Sequence, residues 1–220
     1  MNKILRLFSV VVLEGQIENH EIINQRLSKE IDTVFDNLQE KRVLSYKWHS
    51  NIITDQKHHL GYTSFMGPSL TDLPNFNFFH KHISDTIQDF FYKLEYNGGW
   101  NFVNSWVSIY PKGAYVPLHD HKPMQWSGVY YVAAHENCGD IIFTDPKEYA
   151  LQNEPENTSY RGAFKHKITP KPGMLLLFPS YLKHETYPNE EDADRIIISF
   201  NIITDRSNLH RYSSSNSTDV

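Results

Sequence analysis

The stretch Pro172-Gly173-Met174-Leu175-Leu176-Leu177-Phe178-Pro179-Ser180-Tyr181-Leu182-Lys183-His184 reads as a turn, a hydrophobic strand, a proline stop and a short exposed segment that delivers a histidine. A five-residue apolar run bounded by Gly and Pro is too short for a buried helix and has the length of a buried strand. Eleven residues later comes Arg195-Ile196-Ile197-Ile198-Ser199-Phe200-Asn201, in which Arg195, Ile197, Ser199 and Asn201 share one face of a strand. Working outward, Phe102 to Tyr110, Tyr115 to His121, Ser127 to Ala133, Asp140 to Thr144 and Ala163 to Thr169 have the same character, and the β run at 195 continues to Thr204. Turn residues such as Pro111-Lys112-Gly113 separate them, so the chain after Gly99 is expected to form an all-β sandwich or barrel.

The first 99 residues are different. Ile4 to Leu13 reads as a buried strand with a turn at Gly15. From an N-cap at Asn19, Ile23, Leu27, Ile31, Val34 and Leu38 recur at helical spacing. Residues 43 to 70 keep no period and are read as irregular, with one short strand or helical turn. Pro74 suits a helix start, and Phe76, Phe79, Ile83, Ile87, Phe90 and Leu94 form one stripe that ends near Asn97-Gly98-Gly99. These helices bury their stripes most simply on one face of the β unit. The expectation is one domain over 1–206: a strand and supporting helices over 1–99, a β core over 100–206, and a serine-rich disordered tail over 207–220.

At 220 residues and 40% hydrophobic content the chain can bury a full core. No run is long and apolar enough for a membrane span, and Ile4 to Leu13 lacks the cleavage site of a secretory signal. Basic and acidic residues number 21 and 26 with no dense block of either sign, which argues against nucleic acid as a partner. Cys138 is the single cysteine, so no intrachain disulfide forms and a reducing, cytoplasmic setting is expected, with Cys138 a bystander in a turn.

The chemistry is concentrated in Leu118-His119-Asp120-His121-Lys122-Pro123. Strand alternation projects His119 and His121 together and Asp120 the other way, and two imidazoles on one face are half of a metal site. His184 is the natural third member. An inward arginine on a strand is costly unless it meets an anion, so Arg195 points to an acidic ligand, with a surface ion pair to Asp192 or Asp194 as the bland alternative. The remaining histidines, among them His58, His59, His80, His82 and His166, are background.

In this order, from Tyr110 onward, the residues resemble the core of Fe(II)- and 2-oxoglutarate-dependent oxygenases, in the branch similar to prolyl hydroxylases. The resemblance spans about residues 100 to 204, and its most specific part is Gly-x-Leu-Leu-x-Phe-Pro followed by the histidine and the arginine. It implies a double-stranded β-helix, a cupin-like jelly roll, backed by N-terminal helices. It also implies iron on His119 and the distal His184, with 2-oxoglutarate and O2 at the open positions. Tyr110, in Tyr-Pro-x-Gly, would line the metal pocket. Tyr131 would help to hold the cosubstrate and Arg195 would pair with its far carboxylate, with Ser199 on the same strand face. Most of that superfamily has Asp where this chain has His121. A small subfamily similar in length and in Ser127-Gly128-Val129-Tyr130-Tyr131 shares the His-x-His form, so the site is expected to hold three histidines. Ligation by Asp120 through a bulge at Pro117 is the alternative.

The implied reaction is oxidative decarboxylation of 2-oxoglutarate to succinate and CO2 with hydroxylation of a peptidyl, amino-acid or other small-molecule substrate. Tyr110, Trp106, Trp126 and Phe143 are candidates for the apolar walls, and the polar insertion Lys147 to Tyr160 for a lid. Two rivals share the architecture: a cupin-type dioxygenase or isomerase without 2-oxoglutarate, and a non-catalytic metal-binding jelly roll. The oligomeric state stays open, a homodimer included.

Overall fold

The computed structural model describes residues 9–37, 61–65, 67–147 and 165–205. β1 (Leu13–Gln16) leads into α1 (His20–Asn37), and β2 (Tyr62–Thr63) precedes two 3-10 turns, Leu70–Asp72 and Pro74–Phe76, that run into α2 (Asn77–Lys93). The β unit follows as β3 (Trp100–Tyr110), β4 (Trp126–Ala133), β5 (Ile141–Thr144), β6 (Lys165–Ile168), β7 (Met174–Pro179), β8 (His184–Thr186) and β9 (Arg195–Thr204). A main sheet in the order β1-β7-β4-β9-β3-β2 faces a minor sheet in the order β6-β5-β8, and every pairing is antiparallel.

Strand alternation divides the main sheet into two unlike faces. Tyr130, Leu175, Leu177, Ile198, Phe200 and Ile202 meet the stripes of α1 (Leu27, Ile31) and α2 (Phe79, Ile83, Ile87) in one cluster. Each such aliphatic side chain contributes about 1.5–3 kcal/mol when fully buried. Phe200 lies across Gly128, where a Cβ would come within 2.2 Å of the ring. On the opposite face Val129, Tyr131, Met174, Leu176, Phe178 and Ile197 meet Ile141, Phe143, Ile168 and Leu182 between the sheets. A bulge between Phe102 and Asn104 keeps both Trp100 and Phe102 on the helix side while Asn104, Trp106 and Tyr110 turn inward.

Several expectations need correction. The first strand starts at Leu13 rather than ending there, and Gly15 is paired with Leu175 instead of turning the chain. Tyr115 to His121 is not a regular strand: it is an extended segment with a single bridge, His119 to His184. The segment before His184 is exposed only in part, and His184 itself opens a buried strand against β5. Trp126 is no pocket wall, since it packs on Phe90 and Phe91 at 5.7 and 5.6 Å on the helix side. α2 also stops at Lys93, ahead of Asn97, where Glu95 takes a positive φ of 59°. Residues 1–8, most of the 43–70 stretch, nearly all of the 147–160 insertion and the 207–220 tail lie outside the described residues.

Candidate active site

His119 and His184 exchange both backbone hydrogen bonds, at 3.0 and 2.9 Å, and two residues on the His121 N–H donates to the Ser180 carbonyl at 2.9 Å. With 119 and 121 both pinned to the 180–184 segment, the alternation expected of a strand survives without a regular ladder. The three ring centroids stand 4.2, 4.9 and 5.2 Å apart. One nitrogen from each lies within 4.8 Å of the others.

Protonation decides what such a cluster can do. The Nδ1 of His119 is 2.8 Å from the Pro117 carbonyl and that of His184 is 2.9 Å from the Leu182 carbonyl. A carbonyl only accepts, so both Nδ1 atoms carry the proton and both Nε2 atoms present lone pairs. Burial holds all three rings below the ordinary imidazole range: His119 lowered, His121 down to about 4, with His119 as a second cause, and His184 well below it. Three neutral imidazoles converging without a cation of their own are the donor set a divalent transition metal needs. Asp120 is turned away, with Lys122 Nζ 3.0 Å from its carboxylate and the Lys122 N–H at 3.3 Å.

Arg195 is 1% exposed. Its guanidinium donates to the carbonyls of Cys138 (2.6 Å) and Gly139 (3.0 Å) and to Thr186 Oγ1 (3.0 Å), and it stacks 4.7 Å over the Tyr110 ring. Among the described residues no carboxylate lies within ion-pair distance of it, and Asp192 is taken by Lys112 at 2.7 Å. The bland ion pair is therefore absent. Dipoles satisfy the donors but leave a net buried charge, which favours an anion in the cavity. Burial, the leading influence, raises the Tyr110 and Tyr131 hydroxyls, so both stay protonated, and Arg195 acts on each through its charge.

Thr186 joins the two halves. It lies two residues beyond His184 on β8, a separation of about 7 Å along a strand. Ser199 sits on the inner face between Trp106 and Val129. Trp106 lies 6.0 Å from His121, and Phe143 and Phe178 stand 5.9 and 4.7 Å from His184, so Trp106 and Phe143 do wall the site. The clamp of Cys138, Gly139 and Thr186 was not expected. Gly139 is required there: its φ is +92°, and a Cβ would fall 2.7 Å from the guanidinium nitrogen. Cys138 contributes its carbonyl while its thiol stays in the core.

Residues 104–201, which contain every one of these positions, match the family described as "Putative 2OG-Fe(II) oxygenase". That region is similar to the 2OG-Fe(II) oxygenase family. No curated protein matches the sequence. Among solved structures, the non-heme alpha ketoglutarate dependent carbocyclase SnoK from nogalamycin biosynthesis superposes with a TM-score of 0.58 at 11% identity, over 94% of this chain and 87% of that one. A Pseudomonas putida prolyl-4-hydroxylase gives 0.52 at 12% identity, over 88% and 92%. HygX from Streptomyces hygroscopicus, with nickel and 2-oxoglutarate bound, gives 0.50 at 12%, over 88% and 82%. At these identities the likeness establishes the fold alone, a double-stranded β-helix. Among the described residues no helix is long and apolar enough to cross a membrane.

Proposed function

We propose that the protein is a non-haem Fe(II)- and 2-oxoglutarate-dependent dioxygenase in which His119, His121 and His184 hold the metal and Arg195 holds the far carboxylate of the cosubstrate. The observation that carries this reading is the pairing of a neutral three-histidine cluster with a buried guanidinium that has no carboxylate partner among the described residues. A five-carbon diacid chelated at one end and ion-paired at the other bridges such a pair. When bound, iron supplies O2 activation coupled to decarboxylation of 2-oxoglutarate to succinate and CO2.

The chain's own residues do the rest. The Pro117 and Leu182 carbonyls fix the tautomers of His119 and His184 and raise their basicity as ligands. Thr186 and the Cys138 and Gly139 carbonyls lock the guanidinium, so an incoming carboxylate meets a preorganised fork. Tyr131, kept protonated, is a hydroxyl donor for that carboxylate, and Ser199, paired with Val129 two positions along β4 from Tyr131, presents a further hydroxyl on the same inner face. Trp106, Phe143 and Phe178 keep water away from the reacting face. With no carboxylate ligand, the metal site is one unit more positive than a two-histidine, one-carboxylate site, which strengthens its hold on a dianion. The substrate is a peptidyl, amino-acid or other small molecule, which receives the hydroxyl. A lone cysteine, buried and unable to close an intrachain disulfide, accords with a cytoplasmic setting.

Incubating the Fe(II)-loaded protein with 2-oxoglutarate and O2 and measuring succinate tests the reading. Turnover is expected in the wild type, including slow turnover without substrate, and none in His119→Ala or Arg195→Ala. Metal binding with no succinate under any substrate panel would favour a binding module instead.

A further inference from the structure

The three imidazoles are not held alike. His119 and His184 each lock their ring through an Nδ1–H to a carbonyl, whereas the His121 ring makes no hydrogen bond among the described residues. What fixes His121 is its backbone N–H on the Ser180 carbonyl and the tilted contact with Trp106 at 6.0 Å. The turn from Pro179 to Lys183 therefore serves two ligands: Ser180 anchors His121, and Leu182 orients His184.

Backbone bonds hold that turn at both ends, the Ser180 N–H on the Gln125 carbonyl and the Thr144 N–H on the Lys183 carbonyl, both at 2.9 Å, and a buried polar chain ties its Ser180 side chain to the main sheet. The Ser180 and Ser127 hydroxyls lie 2.7 Å apart, Ser127 Oγ donates to Asn201 Oδ1 at 2.8 Å, and Asn201 Nδ2 donates to Asn104 Oδ1 at 2.8 Å. Because Ser127 spends its hydrogen on Asn201, Ser180 is the donor in the serine pair. Ser180, Ser127 and Asn201 are 0%, 1% and 3% exposed. Four polar side chains beside an apolar core are retained at a desolvation cost, and an aliphatic substitute would fill the same volume without it. The bulge in β3 turns Asn104 inward to complete the chain.

We infer that Ser127 is a positioning residue for the metal site: its bond to Ser180 pins the ligand-bearing turn to the main sheet and so sets where His121 and His184 stand. The inference rests on the three-histidine reading above. Removing Ser127 orphans the Ser180 hydroxyl and the Asn201 carbonyl oxygen together, and the turn moves to find them new partners. Removing both serines leaves fewer orphans, so fold stability recovers while the side-chain tie stays missing and the turn is held by its backbone bonds alone.

Anaerobic titration with Co(II), read by its ligand-field absorption, separates this from a purely structural role. For Ser127→Ala we expect Co(II) affinity about tenfold weaker and an altered absorption envelope, with far-UV circular dichroism unchanged. For Ser127→Ala/Ser180→Ala we expect a melting temperature nearer the wild type and Co(II) affinity still depressed. The double variant carries the test on its own if the single one fails to fold. Wild-type affinity and spectrum in the variants, with only the melting temperature moved, would overturn the inference while leaving the metal site standing. A wild-type protein that binds no Co(II) would overturn the three-histidine reading itself.

Discussion

The two faces of the main sheet are built from the same strands and do opposite things. On β9, Ile198, Phe200 and Ile202 face the helices, while Ile197, Ser199 and Asn201 face the minor sheet with Arg195 at the end. On the helix face the side chains are almost all apolar and their neighbours are interchangeable packing. On the inner side a buried guanidinium, two of the three imidazoles and a chain of serines and asparagines are held by named hydrogen bonds. Stability and chemistry thus alternate residue by residue along one strand, so a substitution should move one property and spare the other.

The sharpest way to break that division is His184→Ala. It should abolish succinate formation and metal binding while circular dichroism and cooperative unfolding persist, and retained metal affinity would undo it. Phe200→Ala is the counterpart on the helix face. Denaturant unfolding should lose about 3–5 kcal/mol, with metal and 2-oxoglutarate affinities of the folded protein unchanged. Equal losses of affinity in both variants would show that the faces are not independent.

The helix face also carries a titratable imidazole. Burial lowers His80 to about 4 from an ordinary 6.5, and its Nε2 has no partner among the described residues. The unfolded chain then binds the proton more readily than the folded one. His80 therefore stabilises fully above pH 6.5, and this is lost as pH falls towards 4. Between pH 7 and 4.5 the metal-free wild type should lose about 2 kcal/mol more than His80→Leu. Identical pH profiles would contradict it. The smallest effect expected is at Gly139→Ala. A Cβ there meets the Tyr187 carbonyl oxygen at 2.2 Å and the guanidinium at 2.7 Å and so shifts both, and 2-oxoglutarate binding should weaken about tenfold, roughly 1.4 kcal/mol, with metal affinity intact when both are measured by titration.

Much of this was legible because long strands alternate. β9 begins and ends where its sequence run does, at Arg195 and Thr204, and the helical stripes of α1 and α2 meet the sheet as their spacing requires. Trp126 as a wall candidate is a misreading that alternation could have caught, since it lies five residues from Tyr131 and residues five apart on a strand face opposite ways. What the sequence hid was short or carried by the backbone. His184-Glu185-Thr186 is too brief and polar to register as a strand, and Val116 and Thr186 are joined through a side chain, with the Val116 N–H on Thr186 Oγ1 at 2.9 Å. The Arg195 clamp uses the carbonyls of Cys138 and Gly139, which no residue type announces. Only the glycine in Cys138-Gly139-Asp140, needing a positive φ, left a trace.

Calorimetric titration of the Mn(II)-loaded protein with 2-oxoglutarate tests the central claim most directly, because it needs both halves of the inner face at once. The account predicts one binding event per chain that requires the metal, is lost in Arg195→Ala and His121→Ala, and survives in Asp120→Ala. Binding of equal strength without metal, or binding that depends on Asp120 and not on His121, would contradict it.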